Sequence, residues 1–130
     1  MATRSREKSA ERAKNKDLRP TASAKYIRIA PNKVRIVLDT IRGKDVNTAI
    51  AMLEATPKSA SEAIIKVINS AAANAEHNQN LSRADLYIDE IYADGGPVLK
   101  RIQPRARGSA YQIKKRTSHI TVKLDTKEAK

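Results

Sequence analysis

The sequence contains no cysteine, no tryptophan and no phenylalanine. Without cysteine there is no disulfide framework, no thiolate metal site and no cysteine nucleophile. Without Phe and Trp the core has to be assembled from Ile, Val, Leu and Ala, with four Tyr in reserve. A single domain the size of this 130-residue chain buries only roughly 60–70% of its unfolded surface, so a large ligand pocket would weaken it. The longest apolar run, Ala49 to Leu53, falls far short of the roughly 18 residues a membrane helix needs. Charges stand at the N-terminus where a signal peptide would carry its apolar segment. These absences predict one soluble, intracellular domain with no membrane contact.

Acidic residues are also scarce: 14 Asp+Glu face 26 Lys+Arg, for a net charge of +12. A free-standing protein gains nothing from such self-repulsion, whereas a polyanion neutralises it. The excess is not spread evenly. Residues 51–96 hold three basic and seven acidic side chains, an ordinary globular balance. Residues 97–119 hold seven basic and none acidic, and the whole stretch from Gly95 to Leu124 lacks an acid. A solvated basic face normally mixes signs to relieve repulsion. Removing every acid suits a segment that lies along phosphates, and a basic linker is the plainer alternative.

Periodicity places the elements. Residues 1–22 read as a basic, flexible tail, too poor in apolar residues to offset the entropy of ordering. Tyr26-Ile27-Arg28-Ile29 alternates like a short strand. Pro31 suits the first turn of a helix in which Val34, Val37, Leu38 and Ile41 form the buried stripe, with Gly43 at the C-cap. Lys33, Arg35 and Arg42 fall off that stripe as a basic flank. A second helix is predicted over 47–55, with Ile50 and Leu53 inward. A third begins at Thr56-Pro57 or at a Ser59/Glu62 capping box, with Ala60, Ile64, Val67, Ile68, Ala71 and Ala75 as its stripe. It ends near Asn80. The period then changes: Leu86–Tyr92 reads as strand with a bulge at Asp89-Glu90, and Ile120, Val122 and Leu124 alternate as a closing strand. If these pair, residues 86–122 form a long hairpin whose arm reaches roughly 50 Å. A two-stranded ribbon of that kind needs something else to lie on.

Catalytic chemistry is thinly supplied. His77 and His119 lack the spacing of a zinc site, and Asp85, Asp89, Glu90 and Asp94 lack the calcium-loop pattern. Gly95-Gly96 is followed by Pro97, which has no N–H for a phosphate cradle. No metal, no cofactor and no enzymatic activity are expected. Nucleic-acid chemistry is better represented. Arg101, Arg105, Arg107, Lys114, Lys115 and Arg116 are interleaved with Tyr111, Gln112, Thr117, Ser118 and His119. Arginine offers bidentate phosphate contacts, and Tyr111 offers a stacking surface for an unpaired base. The lack of a regular groove-reading spacing favours an irregular RNA surface.

Three further runs make the sequence recognisable: Tyr26–Arg35 (YIRIAPNKVR), Ile41-Arg42-Gly43-Lys44, and Ala71–Asn78 (AAANAEHN). Together with Leu99-Lys100-Arg101, Pro104–Gly108 (PRARG) and Lys115–Ile120 (KRTSHI), they closely resemble the bacterial-type ribosomal large-subunit protein twenty-two family. The resemblance covers about residues 24–124. Gly95-Gly96-Pro97 stands where the family usually has an acidic residue, Gly and Pro, and Ala30 replaces a common Ser cap. The resemblance implies an α/β (α+β) fold of three helices on a small antiparallel sheet, with a long β-hairpin arm. It implies a single domain over 23–124, between the N-terminal tail and a C-terminal tail at 125–130.

It further implies a cytoplasmic structural constituent of the large ribosomal subunit that binds large-subunit rRNA, supports assembly, and acts as a monomer there. Its partners would be that RNA, neighbouring large-subunit proteins and the nascent polypeptide. The residues expected on RNA are Arg28, Lys33, Arg35, Arg42, Lys44, Arg107, Tyr111, Lys114, Lys115, Arg116, Ser118 and His119. The tip, about 100–108, would line the exit tunnel through Lys100, Arg101, Ile102, Gln103, Pro104, Arg105, Ala106 and Gly108. The competing reading is a non-ribosomal basic nucleic-acid binder, an RNA chaperone or a DNA-coating protein.

Overall fold

The computed structural model describes residues 2–127. Helices α1 (Ala2–Lys14), α2 (Pro31–Ile41), α3 (Val46–Ala55) and α4 (Ser59–Gln79) accompany strands β1 (Thr21–Ile27), β2 (Leu86–Gly95), β3 (Leu99–Pro104), β4 (Ala110–Lys115) and β5 (Ser118–Thr126). Strands β1, β5 and β2 form an antiparallel sheet in that order, while β3 and β4 form a separate two-stranded ribbon. The fold class is the α+β class expected. Three helices pack on the sheet, and α1 is a fourth that the sequence did not signal.

The stripes explain the packing. Val34, Val37, Leu38 and Ile41 of α2 are buried, as are Ala60, Ile64, Val67, Ile68, Ala71 and Ala75 of α4. From α3 the buried residues are Val46, Ala49 and Leu53, with Ile50 only partly covered. Across the sheet they meet Leu86, Ile88, Ile91, Ile120, Val122 and Leu124. Each fully buried Leu or Ile contributes about 1.5–3 kcal/mol, so an all-aliphatic core suffices. Helix α4 lies over β1, whose Ala22 and Ala24 pack against the core. Those small residues let the edge strand sit close under the helix. They also hid the strand from a pattern search: β1 starts five residues before the expected Tyr26, and Arg28 and Ile29 form a bend.

The start of α4 differs from both predicted caps. Lys58 occupies the N-cap without a side-chain bond, and Thr56 turns back so that its hydroxyl donates to Met52 O at 2.7 Å, closing α3. The C-terminus of α4 ends as expected, with Asn80 in the left-handed region at φ 53°. The bulge in β2 falls between Ile88 and Glu90.

The hairpin is interrupted. β2 pairs with β5 from Leu86↔Thr126 to Gly95↔Ser118, and β3 pairs with β4 from Leu99↔Lys115 to Pro104↔Ala110. Pro97 offers no N–H to a ladder, so the pairing breaks there.

Residues 17–20 belong to the folded body. Arg19 bridges Asp17, Asp89 and Glu90, and Lys123 reaches Glu90 at 2.8 Å and Asp17 at 3.2 Å. Gln79 donates to Leu18 O, and Leu124 N–H donates to Pro20 O at 2.9 Å. Hydrogen bonds from Arg19 hold the Asp17 carboxyl far below the usual carboxylate range. Hydrogen bonds from Lys123, then from Arg19, lower Glu90. Asp89 and Glu90, which the sequence placed in an acidic cluster without a metal-loop pattern, thus belong to an ion network. At the other end, Asp125 and Thr126 extend β5, and residues 128–130 lie outside the described residues.

Candidate nucleic-acid interface

Where the arm leaves the body, its base faces the start of α2 across an open cleft of about 570 Å³. Arg28 and Lys33 line it from the body, and Arg101, Lys114, Lys115 and Arg116 line it from the arm. The local structure follows from the sequence. Pro31 at the first turn of α2 puts Lys33 beside the bend that carries Arg28. In the ribbon, the register Leu99↔Lys115 and Lys100↔Lys114 brings the basic triplet Lys114–Arg116 alongside Arg101. No carboxylate lines the cleft. Among the described residues none of its six cations forms an ion pair. Six unpaired positive charges around one concavity repel one another and attract a multivalent anion.

The joint between body and arm is tightly built. Tyr26 N–H donates to His119 Nδ1 at 3.0 Å, and the two rings meet edge-on with centroids 4.9 Å apart. Thr117 Oγ1 donates to Pro97 O at 2.7 Å, and Gly96 N–H donates to Thr117 O at 2.9 Å. A β-carbon at Gly96 would stand 2.4 Å from Thr117 Oγ1 and 3.1 Å from His119 Cε1. Gly96 is therefore required by close approach. His119, expected on RNA, braces the joint through Nδ1 and its ring.

Beyond the joint the ribbon is almost wholly exposed. Residues opposite one another in an antiparallel pair share a face. Arg101, Gln103, Tyr111 and Lys115 therefore lie on one face, and Lys100, Ile102, Gln112 and Lys114 on the other. Cations stand on both faces. The turn at the tip spans Arg105 to Ser109, narrower than the 100–108 expected, with Arg107 at φ 59° and Gly108 at φ 69°. The Arg105 guanidinium sits 4.9 Å from the Tyr111 ring centroid, a cation–π contact that orients both side chains. Lys100, Arg101, Ile102, Gln103 and Pro104 are strand residues, and Arg101 belongs to the cleft.

Three expected RNA residues are built into the folded body. Ser118 is fully buried in the central strand, and its hydroxyl has no hydrogen-bond partner among the described residues. It shares the phase of Ile120, Val122 and Leu124 on the core face, so RNA cannot reach it. Arg35 donates through Nε to Ala93 O at 3.0 Å. Arg42 donates to Ile91 O at 3.1 Å while pairing with Asp39 at 2.7 Å. Both arginines thus satisfy carbonyls of the edge strand β2, work that the helix pattern alone did not reveal. Lys44 lies past the C-terminus of α2, where its backbone pairs with Ile88 and its side chain is outside the cleft. Among the described residues no three His, Cys, Asp or Glu side chains gather as a metal site would need.

The family described as Ribosomal protein L22p/L17e matches residues 22–125. The chain belongs to that family. It is a family of structural ribosomal components, not of enzymes. "Large ribosomal subunit protein uL22" of Desulfitobacterium hafniense (strain DSM 10664 / DCB-2) is 60% identical over 101 residues, covering 78% of this chain and 89% of that protein. The protein of the same name from Lacticaseibacillus casei (strain BL23) is 56% identical over 109 residues, 84% and 93% of the two chains. That of Clostridium novyi (strain NT) is 57% identical over 101 residues, 78% and 91%. The family match takes in all of β1 except Thr21, and with it the cleft, the joint and the arm. It leaves α1 outside.

Proposed function

We propose that the chain is a structural constituent of the large ribosomal subunit, holding large-subunit rRNA through the cleft and sending its arm into the polypeptide exit tunnel. The observation that carries this reading is the cleft itself: six unpaired cations, no carboxylate, and an acid-free ribbon rising from it. Cations on both faces of the ribbon suit a strand pair enclosed by RNA better than one lying on a flat surface. RNA contact falls to Arg28, Lys33, Arg101, Lys114, Lys115 and Arg116, with Lys100, Arg107 and Tyr111 along the arm. The tip, Arg105 to Gly108, faces the nascent chain. The relatives' names assign them to the large subunit, and the same placement, in the cytoplasm and beside other large-subunit proteins, is the one we infer here.

The mechanism is electrostatic and steric. Phosphates replace the counterions held by the cleft, and their release drives binding. The joint then fixes the direction of the arm. A photo-crosslinking residue at Ala106 should capture the nascent chain in stalled ribosomes, and the chain should sediment with large subunits at high salt. A protein that washes free, or a tip that captures only RNA, would refute the tunnel placement.

A further inference from the structure

Helix α1 lies outside the span shared with the family, yet its root is fixed. Asp17 and Arg19 tie residues 17–19 to Asp89, Glu90 and Lys123. In the β1–β5 register Thr21 pairs with Lys123, and Ile27 pairs with Ser118 beside the arm. The root therefore sits at the end of the sheet away from the arm and the cleft.

The helix carries no core-facing stripe, and its described side chains are all exposed. A stand-alone helix of 13 residues is marginal in water. Arg4, Lys8 and Arg12 follow at four-residue intervals, about 6 Å apart along the axis, and make one basic stripe. Glu7 and Glu11 take a neighbouring stripe, with Arg6 and Lys14 elsewhere around the helix. Like charges four apart oppose helix formation by about 0.2–0.5 kcal/mol per pair. Opposite charges three apart, such as Arg4/Glu7 and Lys8/Glu11, offset part of that. Even so, among the described residues none of the five cations of α1 forms an ion pair, with these glutamates or with the acidic middle of the chain.

We infer that α1 is a second RNA-binding arm, whose Arg4–Lys8–Arg12 stripe lies along a phosphate backbone distinct from the one held by the cleft. The inference rests on the rRNA-binding reading above. An RNA strand supplies the anions that the stripe lacks internally, and it orders a helix that cannot stabilise itself. The pinned root limits α1 to RNA near the sheet end opposite the arm, so the two arms grip the RNA from two sides.

Two full-length variants separate the outcomes. Replacing Arg4, Lys8 and Arg12 by Gln keeps helix propensity and removes three charges. In binding to large-subunit rRNA, the slope of log K against log salt should flatten by about two to three units. Replacing Lys114, Lys115 and Arg116 by Gln should flatten it comparably and independently. An effect from the cleft variant alone overturns the second arm and leaves the cleft reading intact; no effect from either overturns both. Because the chain has no cysteine, Ser9→Cys and Ala106→Cys each accept a single tethered iron chelate. Hydroxyl radicals from position 9 should cut rRNA nucleotides that those from position 106 do not. Absence of cutting from position 9, with protein cross-links there instead, would assign α1 to a protein neighbour and refute the inference.

Discussion

Replacing Gly96 by Ala adds one methyl group at the joint, and its consequence can be worked from the distances. The new β-carbon would lie 2.4 Å from Thr117 Oγ1, too close for either atom to stay. Thr117 cannot simply turn away, because its hydroxyl holds Pro97 O at 2.7 Å. Losing that bond costs about 0.5–1.5 kcal/mol. Together with the displaced packing, the substitution should cost about 1–3 kcal/mol, the range for overpacked sites. Thr117→Ala removes the obstructing oxygen and spends the hydrogen bond in advance. In that background Gly96→Ala should cost little, giving a coupling of about 1–2 kcal/mol in a double-mutant cycle. Urea unfolding followed by circular dichroism measures all four corners. The joint also aims a ribbon about 20 Å long, so a tilt of about 10° moves the tip by about 3 Å. A spin-label pair, one on α4 and one at the tip, should therefore report a shifted distance in Gly96→Ala that Thr117→Ala partly restores. Strictly additive costs with no change in arm direction would refute the account of the joint.

Ser118→Ala should raise stability by about 1 kcal/mol and leave RNA affinity unchanged, since it removes a buried hydroxyl without a partner; weakened RNA binding would return Ser118 to the interface. Arg35→Met and Arg42→Met should each lower the free energy of urea unfolding by about 0.5–1.5 kcal/mol, as a β2 carbonyl loses its donor, and a loss of RNA affinity without destabilisation would contradict that role. Acid should release residues 17–19. The folded-state pKa values of Asp17 and Glu90 are depressed, so their contribution is complete above ordinary carboxylate values near 4 and is lost as pH falls below them. Protection of the Arg19 and Leu124 amides against exchange, relative to the intrinsic rate at each pH, should fall over that window, and Asp17→Asn with Glu90→Gln should abolish that fall.

The helical stripes of α2 and α4 were legible because burial repeats at the helix period, and the core residues they named are the ones found inside. The acid-free arm was legible from composition alone. Strand β1 was not, because Ala22 and Ala24 pack by being small and leave no apolar alternation. Helix α1 was not, because it buries no face and so has no periodic signature. Among site residues the instructive failure is Ser118. Its phase with Ile120, Val122 and Leu124 already placed it on the core face, but its setting within a basic motif outweighed the alternation. Arg35 and Arg42 looked like a free basic flank since nothing local indicates that β2 presents carbonyls to them. The cleft, by contrast, joins residues up to 88 positions apart, and only the ribbon register with the bend before α2 brings Arg28 to Arg116.

The central claim is that the cleft holds rRNA by charge. Six cleft cations releasing counterions should contribute about −4 to −5 to the salt slope for binding to large-subunit rRNA, at roughly 0.7–0.9 per contact. The full-length protein and its Lys114→Gln, Lys115→Gln, Arg116→Gln variant, titrated with that RNA across salt concentrations, test the claim directly. The account predicts a slope flatter by about two to three units in the variant, with the fold intact by circular dichroism. An unchanged slope would mean that these three side chains face solvent and that the cleft is not where the RNA binds.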